Sequence, residues 1–153
     1  PIPDAHAGRP LKNPPLMREH RLYQADWMLR FYGYHVNEIV SDAHPDLRLD
    51  VDPKTGWALR NRDFFPININ KASKEALLRI PGIGVQSVQK VLRLRRLKQV
   101  TLEDLQKMRC VLKRARPFII TADWHPRKIE DTANLLALIA PPPPQAQQME
   151  LAL

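Results

Sequence analysis

The 153-residue chain contains a single cysteine, Cys110, and five glycines. One cysteine permits no internal disulfide and no zinc site built on cysteines, which suits a reducing compartment, and a cytoplasmic location is expected. No apolar run of about 18 residues occurs, so no membrane-spanning helix is expected. The N-terminal stretch holds proline and histidine instead of a basic segment followed by an apolar one, and it does not read as a signal peptide. The histidines, His6, His20, His35, His44 and His125, are scattered, and no pair has metal-ligand spacing on one helix. Acidic residues are scarce where basic ones are dense. Residues 71–116 carry 13 Lys or Arg against 3 Asp or Glu, whereas the rest of the chain carries 11 against 13. The net charge of +8 and the pI near 10.0 therefore come from one region, which points to an anionic partner for that region.

Two of the few glycines stand together, in Leu77-Leu78-Arg79-Ile80-Pro81-Gly82-Ile83-Gly84-Val85. Leu77 and Ile80 fall on one helix face upstream, and Val88, Val91 and Leu92 recur at helical spacing downstream. Pro81 breaks the first helix, because it cannot continue the hydrogen-bond ladder and restricts Ile80 before it. Gly82 and Gly84 allow a tight turn, and Ile83 is expected to plug that turn into the core. The spacing predicts helix, turn, helix, with bare amides of Ile83, Gly84 and Val85 at the start of the second helix. Such a terminus offers free donors and the positive end of the helix dipole to an anion.

The rest of the chain reads as helices between proline-rich ends. Residues 1–14 form a linker or arm, 15–64 a helical subdomain, 65–118 the glycine-turn region, 119–140 a C-terminal extension, and 141–153 a Pro/Gln-rich tail. A helix is expected over Leu16–Tyr32, closed by Gly33, with apolar faces broad enough to be covered by two partners. Asp52 and Pro53 open another, ending near Arg62. Ser73 caps Lys74–Arg79, and the second helix of the turn runs from Val85 to about Leu97. Thr101 with Asp104 forms a capping box, stapled by Val100 and Leu105. Phe118-Ile119-Ile120 is too short to assign, and a last helix is expected over Arg127–Ala140. Trp27, Trp57 and Trp124 read as core or interdomain anchors.

Ile80-Pro81-Gly82-Ile83-Gly84 followed by Val88 resembles the helix-hairpin-helix motif of DNA-binding proteins. Ile67-Asn68-Ile69-Asn70-Lys71-Ala72-Ser73 is similar to the lead-in of competence-type DNA receptors. Met108-Arg109-Cys110-Val111-Leu112 falls where a second hairpin would lie, with Met108 and Val111 as surviving apolar positions and both glycines lost. The fold expected is all-α: one intact and one degenerate hairpin, packed with additional helices and ending in flexible proline-rich segments. Two further stretches widen the resemblance: Pro15-Leu16-Met17-Arg18-Glu19-His20-Arg21-Leu22-Tyr23-Gln24-Ala25-Asp26-Trp27 through Gly33, and Leu112-Lys113-Arg114-Ala115-Arg116-Pro117-Phe118-Ile119. With the hairpin between them they resemble the C-terminal part of a bacterial family of DNA modification or repair radical SAM proteins, encoded beside a uracil-DNA-glycosylase-like partner. That family carries an iron–sulfur cluster on a Cys-x3-Cys-x2-Cys motif, which this chain lacks. The resemblance thus implies an accessory segment that is not itself an enzyme. The cluster and S-adenosylmethionine are then expected only in a catalytic domain outside the chain.

The hairpin resemblance also implies sequence-independent binding of double-stranded DNA by its backbone. The residues expected to carry it are Pro81, Gly82, Ile83, Gly84 and Val85 at the turn, with Gln86, Ser87, Lys90, Arg93 and Arg96 along the second helix. The alternative is a protein-interaction scaffold that docks the glycosylase-like partner. Asp104 stands at the distance from the turn where hairpin-class glycosylases place a catalytic Asp, but Thr101-Leu102-Glu103-Asp104 reads better as a helix start. Gln148, Met149, Leu151 and Leu153 resemble the short peptide by which bacterial proteins dock on the sliding clamp, a second candidate partner.

Overall fold

The computed structural model describes residues 13–41 and 47–126, and these are mostly helical. The expected arm, the Arg127–Ala140 helix and the tail with Gln148, Met149, Leu151 and Leu153 lie outside the described residues. Among the described residues no helix is long and apolar enough to cross a membrane.

Helix α1 spans Asn13–Phe31. Arg21, Gln24, Ala25, Met28 and the following Tyr32 recur at helical spacing, and all are buried. Gly33, at φ +75°, takes the left-handed conformation that ends the helix. Among the described residues α1 is covered on one side. Leu22, Tyr23, Leu29 and Phe31 are 54%, 60%, 39% and 49% exposed, because the described residues pack against only the Ala25–Met28 side. Helix α2, Val36–Ile39, follows, with Glu38 accepting from the His35 amide at 2.9 Å. Helix α3, Pro53–Arg60, begins where the sequence predicts: Asp52 accepts from the Thr55 amide at 3.0 Å, and Pro53 occupies the first turn. It is buried from Pro53 to Leu59 and packs against α1.

The lead-in is extended and not helical. Strand β1, Ile67–Asn68, pairs in parallel with strand β2, Ile119–Ile120, with Ile67 opposite Ile119 and Asn68 opposite Ile120. The described residues are mostly helical, in line with the all-α expectation, and this two-residue ladder is the strand pairing added to them. Its sequence basis is period-two burial, with Ile67 and Ile69 inside and Asn68 and Asn70 half-buried. The asparagines act locally. Asn68 Oδ1 accepts the Asn70 amide at 2.9 Å, and Asn70 grips Val100, accepting its N–H at 2.8 Å and donating to its carbonyl at 3.2 Å.

Helix α4, Lys74–Leu77, is capped by Ser73, whose hydroxyl accepts from Ala76 at 3.2 Å. It is shorter than predicted, since the chain tightens through 78–80 before Pro81. Helix α5, Val85–Leu94, also stops short of Leu97 and finishes in a tight turn. Helix α6, Leu102–Lys107, carries the predicted capping box, with Thr101 N–H donating to Asp104 at 2.9 Å and Thr101 Oγ1 accepting from the Asp104 amide at 3.3 Å. Helix α7 spans Leu112–Ala115. One hydrophobic cluster runs from Ala25 and Met28 through Trp57 to Ile83, Val91, Leu105 and Phe118.

The turns before α5 and α7 stand back to back. Gly82 lies at φ +85°, and Arg109 takes the matching position of the second turn at φ +66°. Ile83 and Cys110 follow them into the core, and Gly84 and Val111 then cap α5 and α7. The second turn is therefore plugged by Cys110, at 8% exposure, and not by Val111, which is 37% exposed. Val111 N–H donates to the Gly82 carbonyl at 2.9 Å, and Ser87 Oγ donates to the Met108 carbonyl at 3.0 Å. A Cβ on Gly82 would lie 2.6 Å from the Val111 carbonyl oxygen. Gly82→Ala meets both a disfavoured φ and a backbone clash, and is expected to cost about 2–4 kcal/mol in chemical denaturation. Gly33→Ala meets the φ alone, with no atom within 4 Å, and should cost about 1 kcal/mol. Equal losses at the two sites would contradict the close approach of the turns.

Candidate nucleic-acid interface

Helix α5 divides sharply into two faces. Ser87, Val88 and Val91 are buried, while Gln86, Gln89, Lys90 and Arg93 are exposed at spacings of three and four residues, and Arg96 is exposed in the turn that follows. These side chains form one polar and cationic stripe that starts at the glycine turn, follows the helix for about 10 Å from Gln86 to Arg93 at 1.5 Å per residue, and continues to Arg96. The structure thus brings together Gln86, Lys90, Arg93 and Arg96 from the sequence reading. Ser87 is on the other side, with its hydroxyl engaged by Met108. Pro81, Gly82 and Ile83 are buried within the turn, and Gly84 and Val85 are half-buried at its rim.

Ile83 N–H donates inside the turn to the Ile80 carbonyl at 3.3 Å. The Tyr32 hydroxyl stands at the rim of the turn, 3.5 Å from where a Cβ on Gly84 would lie, and burial raises its pKa. Tyr32 comes from the end of α1 and is 3% exposed. Lys54, from the first turn of α3, approaches the same segment from behind. Its Nζ donates to the Ile83 carbonyl at 2.6 Å and stands 4.5 Å from the Tyr32 ring centroid. Neither residue was expected at the site. No local pattern marks them, since Lys54 is 29 residues from Ile83 and its burial follows from the packing of α3 on the turn.

Asp52 anchors this polar group. Its carboxylate pairs with the Arg114 guanidinium and accepts from the Thr55 hydroxyl at 2.7 Å, while Arg114 also donates to Thr55 Oγ1 at 3.0 Å. Burial alone would push the Asp52 carboxyl up. The Arg114 charge and the Thr55 hydrogen bonds outweigh it and hold the carboxyl below its ordinary value. Arg21, buried on α1, donates to Gln24 at 2.8 Å and faces the same carboxylate.

Part of the basic charge of residues 71–116 is thereby structural. Arg79 pairs with Glu38 at 2.5 and 3.1 Å and stacks 4.0 Å from the Tyr34 ring centroid. Arg95 donates to the carbonyls of Ile69 and Ala72 at 3.1 and 2.7 Å. Lys98 binds Asp104 at 2.7 Å, chiefly through which that carboxyl is held down to about 2. The α5 stripe, with Arg109 exposed in the second turn and Lys113 exposed on α7, presents its cations to solvent.

Comparison of the chain with protein-family models, with curated proteins and with solved structures finds no match.

Asp52→Asn retains a competent N-cap but removes the charge opposite Arg114. It is expected to cost about 3 kcal/mol at neutral pH, as breaking a buried pair does. A carboxyl whose folded pKa is depressed stabilises the fold above its unfolded value and loses that contribution as pH falls through the folded value. The difference between wild type and variant, followed by urea denaturation, should therefore close below about pH 3.9. A gap that persists undiminished into acid would locate the stabilisation elsewhere.

Proposed function

We propose that this chain is a DNA-holding module. The segment from β1 to β2 acts as a helix-hairpin-helix unit with one glycine hairpin and one degenerate hairpin, and it grips duplex DNA by the phosphate backbone. The observation that carries the reading is the α5 stripe: Gln86, Gln89, Lys90, Arg93 and Arg96 lead away from the N-terminus of a ten-residue helix on one exposed face. The helix N-terminus favours one phosphate through its dipole and its early amides. The cations along the stripe then follow neighbouring phosphates. Phosphate contacts fix position without reading sequence, so binding is sequence-independent, with dissociation constants of about 10⁻⁴–10⁻⁶ M.

On this reading the chemistry belongs to another part of a DNA modification or repair enzyme, where the expected iron–sulfur cluster and S-adenosylmethionine would be held, and this chain keeps that enzyme on DNA. A second reading, docking of a protein such as the glycosylase-like partner or the sliding clamp, has its own support. Leu22, Leu29 and Val36 are exposed around a groove of about 230 Å³ on α1 and α2, floored by Ala25 and Ile39. The DNA reading is preferred because an exposed apolar groove does not explain the cationic stripe.

The test is anisotropy titration of a labelled duplex at about 50 mM and about 200 mM salt. Wild-type affinity should fall steeply between the two. Lys90→Glu with Arg93→Glu should weaken binding at least about tenfold at the lower salt and flatten the log–log salt slope by about 2. Backbone amide shifts on DNA addition should centre on Gly84 to Lys90. Binding unchanged by the double charge reversal would rule the reading out.

A further inference from the structure

Nine large hydrophobic side chains are exposed among the described residues, and six of them, Leu16, Leu22, Tyr23, Leu29, Phe31 and Val36, lie on α1 and α2. Single exposed apolar residues are ordinary, but their concentration on one side of a fold marks a contact surface. Two strips of this surface differ in kind. Tyr23 and Trp27 are bordered by Glu19, Asp26 and Arg30, and Asp26 pairs with Arg30 at 3.0 Å, so that strip is fringed by charge that favours water. Leu22, Leu29 and Val36 instead stand around a groove of about 230 Å³, with Ala25 and Ile39 in its floor. Among the residues that line it, Arg18 alone is charged.

The same chain contains an apolar segment in need of cover. Residues 127–140 lie outside the described residues, and their sequence changes character halfway. Arg127, Lys128, Glu130 and Asp131 are followed by Leu135-Leu136-Ala137-Leu138-Ile139-Ala140, six apolar residues without a break. At helical spacing Leu135, Leu138 and Ile139 share one face, and Ile129, Ala133 and Leu136 share another. A helix apolar on more than one side is stable only where something covers it. The nine steps from Pro126 to Leu135 allow up to about 30 Å of chain, about the diameter of a small domain.

We propose that this segment is the occupant of the groove: Leu135, Leu138 and Ile139 fill it against Leu22, Leu29 and Val36, and Glu130 and Asp131 set their carboxylates against Arg18 at its edge. Charge complementarity favours this occupant, since the groove offers one cation and no carboxylate. A second copy seated groove to groove would bring no carboxylate to Arg18. Tethering adds to the preference. A segment on the same chain meets the groove at an effective concentration of about millimolar, so a separate protein has to compete with it. The segment also supplies α1 with cover on the side that the described residues leave open.

The experiment is methyl NMR on the whole chain, in dilute solution and without DNA. Nuclear Overhauser contacts are expected between the methyl groups of Leu22, Leu29 or Val36 and those of Leu135, Leu138 or Ile139. A sample mixed from isotopically labelled and unlabelled chains separates the sources. Contacts found only between chains assign the groove to a second copy and overturn the proposal. Groove methyls with no contact to the segment overturn it as well, and leave the groove to a separate protein. Leu135→Asp with Leu138→Asp should abolish the contacts and move the Leu22, Leu29 and Val36 methyl resonances, while the α5 amides keep their positions. Groove resonances unmoved by the double substitution count against the proposal. Should that variant fail to fold, the wild-type contacts decide alone.

Discussion

The approach of the Gly82 carbonyl to the Val111 amide, at 2.9 Å, is the constraint on which the other contacts depend. It places two turns back to back, and only a residue without a Cβ fits one side of that contact. Ile83 and Cys110 then enter the core from the two turns. The directions of α5 and α7 follow, because each begins three residues after the positive-φ position of its turn. The β1–β2 pairing closes the same unit at its ends, joining the residues before α4 to those after α7. Losing the Gly82 contact would release α7, and with it Arg114, the partner of Asp52.

That link is why α1 and α3 cannot be regarded as decoration on the two-turn core. Asp52 caps α3 and binds α7 in the same carboxylate, and two residues later Lys54 reaches the turn before α5. A buried ion pair is weak evidence for stability, since desolvation offsets much of its attraction. Its effect here is on geometry. A charge-assisted network with few alternative partners allows one way to seat α3 against the turns, whereas apolar packing alone would tolerate slippage. The backbone that would meet a phosphate is thus positioned by residues far from it in sequence.

Local chemistry was legible before the structure, and tertiary chemistry was not. Asp52-Pro53, Ser73 and the Thr101–Asp104 pair announce helix starts, because capping is a matter of a few consecutive residues, and each cap forms as read. Gly33 and Gly82 both take the positive φ that their positions suggest. The division of α5 into a buried and an exposed face follows from its period alone. The β1–β2 ladder escaped because two residues carry no recognisable strand pattern, and their pairing spans more than fifty positions of sequence. The plug of the second turn is likewise not marked by hydrophobicity. Reading Met108 and Val111 as the apolar pair assumes that hydrophobicity decides, but the positive φ at Arg109 sets the register and puts Cys110 inside. Lys54 was invisible because a lysine near a helix start normally reads as solvated.

The distribution of charge gives the last step. Counting cations in residues 71–116 treats them as equivalent, but the structure divides them by geometry. Arg79, Arg95 and Arg114 present planar guanidinium groups to carboxylates and carbonyls inside the fold, a role that arginine's fixed donors suit. Lys90, Arg93 and Arg96 stand on the exposed face. Exposed charges near one another repel, screened over about 10 Å in moderate salt, so a stripe of like charge brings no benefit to the isolated fold. Elsewhere on the surface acidic residues do accompany basic ones, as Asp26 does Arg30 and Glu103 does Lys107. Among the described residues this helix face keeps its repulsion while its neighbours neutralise theirs, and that contrast is the physical ground on which an anionic partner is proposed.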